Sequence, residues 1–167
     1  MQKALYKRFA SKMLGVTLRY TRNREEAEDL LQEGFIKVFR SISQYTGPGS
    51  FEGWVRRIFV NTALGSLRKA KMKFSDDDVQ DLGNDHHQEA DVMSSIGMKD
   101  LLRMIQGLTP GYQAVFNLYV IEGYQHQEIA KLLEISEGTS KSQLARARMI
   151  LQEKIKQSMI QKQINKE

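Results

Sequence analysis

Near the C-terminus, three side chains able to read base edges stand close together: Lys141, Gln143 and Arg146, with Ser142 among them and Thr139 and Arg148 on either side. Lys and Arg can hydrogen-bond guanine, Gln can pair with adenine, and a Ser hydroxyl or a helix N-terminus can hold phosphate. Such groups become a reading surface only if one helix presents them together. Residues 125 to 155, QHQEIAKLLEISEGTSKSQLARARMILQEKI, supply that helix. A short first helix carries Ile129, Ala130, Leu132 and Leu133, and Ser136 can cap a second helix whose apolar seam is Leu144, Ala147, Leu151 and Ile155. With the seam turned inward, Lys141, Ser142, Ala145, Arg146 and Met149 share the opposite face and Gln143 lies beside it. This is a helix-turn-helix layout, and Ala130 is small where the two helices would cross closely. The same spacing also suits a plain helical hairpin with a solvated basic face.

Other chemistries find little support. The chain has no Cys, which excludes disulfides, thiolate metal sites and a cysteine nucleophile. His86 and His87, beside Asp85 and Glu89, are two adjacent ligand types without a second cluster, so no metal is expected; His126 reads as a surface residue. No phosphate loop or Ser/His/Asp arrangement stands in a recognisable context, so neither an enzyme nor a cofactor is expected.

The elements that must position these residues follow from charge and periodicity. The net charge of +5 is unevenly spread: residues 1 to 73 carry fifteen Lys/Arg against six Asp/Glu, residues 74 to 100 one against eight, and residues 101 to 167 nine against six. A basic, acidic, basic order suits two polyanion-binding modules on an acidic tether. Helical spacing runs through Leu5, Phe9, Met13, Val16 and Tyr20, then Ala27, Leu30, Leu31, Val38 and Ile42, then Val55, Ile58, Phe59 and Ala63. Asn23 can cap the second of these helices, with Glu26 completing a capping box. YTGPGS at 45 to 50 must break the chain, and Ser50 can cap the helix that follows. SDDDVQDLGNDHHQEAD from Ser75 has the composition of a linker. Helical spacing resumes with Ile96, Leu101, Leu102, Ile105 and Leu108, and Thr109-Pro110 starts another helix, with Thr109 as cap and Pro110 as its first residue, that stops at Gly123. The expected fold is all-α, in two small helical domains.

Taken in order, NREEAEDLLQEGFIKVFRSI, TGPGSFEGWVRRIFVNTALGSLRK and LTPGYQAVFNLYVIEGYQHQEIAKLLEISEGTSKSQLARAR resemble the extracytoplasmic-function class of bacterial RNA polymerase sigma factors, from about Leu5 to Ile155. Departures are Glu134 at the turn, Ser140 where an aliphatic residue is frequent, and a short N-terminus. The resemblance implies a sigma-2-like domain at 1–73, an acidic linker at 74–93, a sigma-4-like domain at 94–160 and a tail at 161–167, without a sigma-3 domain. It implies binding to core RNA polymerase, at the β′ clamp helices and the β flap, and to promoter DNA. An anti-sigma factor is a further implied partner, which could hold an otherwise cytoplasmic chain at the inner membrane. No lipid contact of its own is expected.

The resemblance also assigns residues. Docking on the β′ clamp falls to Asp29, Gln32, Glu33 and Phe35, with Leu31 behind them; Phe35 reads equally as core. An acidic strip in a basic lobe is not what a DNA face would show. Gly34, costly in mid-helix, suggests close approach of another backbone. Recognition and opening of the minus-ten element falls to Tyr45, Ser50, Phe51, Trp54, Arg56, Arg57, Asn61, Arg68 and Lys69, since holding a base out of the stack needs a pocket, stacking surfaces and cations. Trp54 and Asn61 also have structural readings, and Arg56 and Arg57 point about 100° apart. Thr139, Lys141, Ser142, Gln143, Arg146 and Arg148 are assigned to the minus-thirty-five element, with Arg146 as a base reader and Arg148 as a phosphate contact. Two other readings compete. A helix-turn-helix regulator independent of polymerase leaves the acidic strip and TGPGSFEGW unexplained; a helical RNA-binding protein would not support promoter-dependent transcription.

Overall fold

The computed structural model describes residues 1–73 and 97–165. Asp76 to Asp78, His86, His87 and the linker expected at 74–93 lie outside the described residues. The chain divides into two compact units, Met1–Ser75 and Asp76–Glu167. Among the described residues every regular element is helical.

The first unit is built from α1 (Gln2–Leu18), α2 (Arg24–Ser41) and α3 (Phe51–Lys73). Its core joins Phe9, Met13 and Val16 of α1, Ala27, Leu30, Leu31, Phe35 and Val38 of α2, and Val55, Phe59, Val60, Ala63 and Leu64 of α3. These are the helical repeats legible in the sequence, each turned inward because burial of a large apolar side chain stabilises by about 1.5–3 kcal/mol. Asn23 caps α2 as expected, accepting from the Glu26 N–H at 2.9 Å. The reciprocal half of the predicted box differs: the Glu26 carboxylate accepts from the N–H of Arg22 at 3.0 Å, one residue before the cap. Gly34 is explained by a side chain and not by a backbone, because the space a Cβ would take there is filled by the Phe59 ring. Close packing of that ring outweighs the helix propensity given up at the glycine.

A 3-10 turn, Ile42–Gln44, ends α2, and the YTGPGS break follows. Gly47 and Gly49 take φ of 94° and 82°, conformations in which a Cβ is strained. Ser50 then caps α3, its Oγ accepting from the Gly53 N–H at 3.0 Å.

The second unit contains α4 (Met98–Gln106), α5 (Pro110–Phe116), α6 (His126–Leu133) and α7 (Glu137–Ile164). Pro110 starts α5 as expected, but the Thr109 side chain makes no capping bond. The helix then widens into a π turn at Asn117–Ile121, where the Glu122 N–H bonds to the Asn117 carbonyl at 2.9 Å, and Gly123 (φ 78°) ends it. Gln125 and Glu128 form a capping box for α6, a start signal that the sequence reading did not use. Glu134 occupies the left-handed region at φ 56°, the position where a glycine would be unstrained. Ser136 caps α7 as predicted, accepting from the Thr139 N–H at 2.9 Å. α7 buries Leu144, Ala147, Leu151 and Ile155. It continues through residue 160 to Ile164, so most of the segment expected as a tail is helix. Among the described residues no helix is long and apolar enough to cross a membrane.

Candidate functional site

In the first unit, the glycine loop and the start of α3 enclose a cavity of about 270 Å³. Of the residues assigned to strand opening, Tyr45, Ser50, Trp54 and Arg57 line it. The Tyr45 hydroxyl donates to the Gly49 carbonyl at 3.0 Å, fastening the ring across the loop. Tyr45 and Trp54 stand 5.5 Å apart between ring centroids. Phe51 stacks behind Trp54 at 5.6 Å and does not line the cavity. Trp54 is half-buried, so its expected structural role and an open face coexist. Gln44 and Gly53 also line the cavity and were missed, Gly53 because its only signal is that no side chain fills the space beside Ser50. Asn61, Arg68 and Lys69 are exposed further along α3, outside the cavity. Arg57, Asn61 and Arg68 share one helical face, giving a polar stripe that leads away from it. Arg56 is half-buried and absent from the cavity wall, as the 100° offset from Arg57 implies.

The α2 strip separates into two layers. Asp29, Gln32 and Glu33 are exposed, whereas Leu31 and Phe35 are buried. Phe35 meets Tyr6 at 4.6 Å, Phe59 at 5.2 Å and Phe39 at 5.8 Å, so it is core and the contact role assigned to it is corrected. Ile36, 50% exposed and one turn from Gln32, is the apolar member of this face that the sequence reading missed. Glu33 pairs with Lys37 at 2.8 Å along the helix.

In the helix-turn-helix the exposed face is narrower than expected. Lys141, Ser142 and Met149 are open; Lys141 pairs with Glu137 at 3.0 Å, and the Ser142 hydroxyl donates to the Thr139 carbonyl at 3.0 Å. The Thr139 hydroxyl shares a 2.8 Å bond with Ser136 inside the cap. Three of the assigned side chains are less open than the helical projection implies. Gln143 is half-buried with its amide against Gly111. Arg146 is half-buried, its Nε out of solvent. Arg148 is half-buried with its guanidinium 5.8 Å from the Tyr119 ring centroid. α5 packs along α7 and covers Gln143, and Tyr119 of the π turn lies over Arg148, so part of the face a lone helix would leave open is closed.

His126 is not a plain surface residue either. Its ring stacks on Tyr119 at 4.5 Å and its Nδ1 shares a 2.8 Å hydrogen bond with the hydroxyl of Ser140, which is fully buried. This pair ties the start of α6 to α7, and it explains a serine at a position where the apolar seam would accept an aliphatic side chain. Burial, and then the charge of Lys141, hold the His126 pKa below the ordinary value; Glu137 opposes and Arg148 adds to the lowering. A base whose folded pKa is depressed contributes stability that is present above its unfolded value near 6.5 and is lost as pH falls through the folded value. Melting of the second unit measured from about pH 7.5 down to about pH 5 should therefore show an acid-side loss of stability that shrinks in His126→Gln. An identical pH dependence in both proteins would remove His126 as its source.

The two helical units, one with an aromatic loop pocket and an acidic strip and the other with a helix-turn-helix, are matched separately by known families. Residues 5–72 match the family model for sigma-70 region 2, and residues 98–151 that for sigma-70 region 4. The chain belongs to the sigma-70 family of RNA polymerase sigma factors, in its extracytoplasmic-function class. It is 33% identical over 153 residues to the ECF RNA polymerase sigma factor SigE of Mycolicibacterium smegmatis, with 89% of this chain and 59% of that protein covered. It is 29% identical over 167 residues to the ECF RNA polymerase sigma-E factor of Haemophilus influenzae, covering 93% of this chain and 87% of that one. The chain thus spans somewhat over half the length of the first relative. Its fold is similar to that of the sigma factor RpoE of Bartonella quintana, solved in complex with the anti-sigma factor NepR, with a TM-score of 0.58, 21% identity and coverage of 92% and 96%.

Proposed function

We propose that the chain binds core RNA polymerase and directs it to promoters, recognising minus-ten and minus-thirty-five elements. The observation that carries this reading is the cavity between the glycine loop and Trp54, inside the segment that matches sigma-70 region 2. Extruding a base costs a few kcal/mol, which stacking on an aromatic face, about 1–3 kcal/mol per base, can offset. Tyr45 and Trp54 supply ring surface, Ser50 and Gln44 hydrogen-bonding groups, and Arg57, Asn61 and Arg68 a face for the adjoining backbone.

Residues 1–73 act as the sigma-2 part, 74–93 as the linker and 94–160 as the sigma-4 part. Asp29, Gln32, Glu33 and Ile36 form the face for the β′ clamp helices, while the sigma-4 part meets the β flap and the minus-thirty-five DNA, with Lys141 and Ser142 its most accessible groups. Catalysis belongs to the polymerase, so the chain itself is no enzyme. An anti-sigma factor is a further partner, in keeping with the NepR complex of the Bartonella quintana protein. The chain works in the cytoplasm, with the inner membrane reached only through such a partner.

The test is in vitro transcription from a library of genomic fragments with core polymerase, with and without the chain. Discrete transcripts that require the chain are expected, sharing sequence near minus ten and minus thirty-five. Capture of DNA fragments without core, and no chain-dependent transcripts with it, would favour the polymerase-independent regulator instead.

A further inference from the structure

α1 carries Lys3, Lys7, Arg8 and Lys12 and no carboxylate. Helical spacing divides these cations between two edges, Lys3 with Lys7 and Arg8 with Lys12. The second edge faces the start of α3. There the Lys12 ammonium donates to both carboxylate oxygens of Glu52 at 2.9 Å, and the Phe9 ring lies 5.9 Å from that of Phe51. Arg8 is exposed, with its guanidinium 5.5 Å from the centroid of the Phe9 ring. Phe51 in turn stacks on Trp54, which meets Tyr45 at the cavity. An unbroken run of ring contacts therefore leads from the cavity wall to Arg8.

We propose that Arg8 is a phosphate seat for the single DNA strand whose extruded base occupies the Tyr45/Trp54 cavity. This rests on the cavity being a base pocket. Single-strand binding combines stacking surfaces with cations that follow the backbone, and the edge of α1 places a cation beside the aromatic run that ends in the pocket. Guanidinium is the fitting group: resting on an aromatic face holds its plane, leaving N–H donors for two phosphate oxygens at once. Lys12 shares its charge with Glu52, so Arg8 is the edge's principal uncompensated contributor to strand binding.

The test uses holoenzyme assembled from the full chain and core polymerase, with fluorescent single-stranded oligonucleotides carrying either the selected minus-ten sequence or a scrambled one, titrated at several salt concentrations. Arg8→Gln should weaken binding of both oligonucleotides several-fold and alike, and make the log–log salt slope shallower by about 0.7. Lys3→Gln with Lys7→Gln, on the other edge, should leave affinity and slope as in the wild type. Trp54→Ala, measured beside them, should lose the preference for the selected sequence. Loss of preference in Trp54→Ala with a wild-type slope in Arg8→Gln overturns the proposal and leaves the pocket standing. An equal slope change in the Lys3/Lys7 variant overturns it in favour of diffuse charge, and weaker binding of Arg8→Gln to core without DNA overturns it in favour of a polymerase contact. If the wild type shows no sequence preference and Trp54→Ala changes nothing, the pocket reading fails and the proposal with it.

Discussion

Replacing Gly47 and Gly49 together by alanine is expected to abolish promoter opening while core-polymerase binding and the fold persist. The two glycines sit at φ 94° and 82°, and beyond the adjoining residues no heavy atom lies within 4 Å of the position a Cβ would take at either. The substitution therefore acts through the backbone alone, at about 1–3 kcal/mol for each residue forced into a sparsely populated region. At 1.4 kcal/mol per decade, the pair reduces the population of the present loop by roughly 30-fold to more than 10³-fold. What is lost with that loop is the Tyr45 hydroxyl's bond to the Gly49 carbonyl and the wall of the cavity opposite Trp54. The three-helix core does not include these residues, so melting of the first unit should change little. Permanganate footprinting of the holoenzyme on a selected promoter reads the result as disappearance of reactive thymines. Normal footprints in the double variant would show that the loop geometry is dispensable for opening.

Asp29→Arg should release the chain from core polymerase. Asp29 is exposed on α2 in line with Gln32, Glu33 and Ile36, and a reversed charge at a docking face adds repulsion and strands the partner's cations. A loss of about 2–5 kcal/mol is expected, or roughly 30-fold or more in Kd. Helix content should not change, because the side chain makes no part of the core. Ile36→Ala tests the apolar half of the same face without altering charge. Unchanged affinity for core in both variants, measured by fluorescence anisotropy of labelled chain, would show that polymerase docks elsewhere.

Phe35 and Ile36 show where sequence reasoning stops. Both follow Gly34 on α2, and their spacing from Leu31 and Gln32 leaves either one free to be the exposed member. Which is covered depends on Tyr6 from α1 and Phe59 from α3, whose rings reach only Phe35. Arg146 and Arg148 teach the same lesson in the second unit. A helical projection places them by angle alone, but in the packed unit Tyr119 takes up Arg148 and the Arg146 Nε is buried. The π turn itself leaves no signal that periodicity could detect.

Legible in the residues alone were the helical character of the described segments, the break at YTGPGS, the caps at Asn23, Ser50 and Ser136, and the order of the motifs that carry the family resemblance. Each of these is a local property, set by repeats of three and four residues, by glycine and proline, and by side chains that reach their own backbone within one turn. Tertiary structure decided which faces remain open: that Phe35 is core and Ile36 is not, that Gly34 makes room for Phe59, that His126 is bound to Ser140, and that Tyr45, Trp54 and Arg57 surround one cavity. These depend on groups up to tens of residues apart being packed together, and helical periodicity specifies a direction around an axis without specifying what stands there.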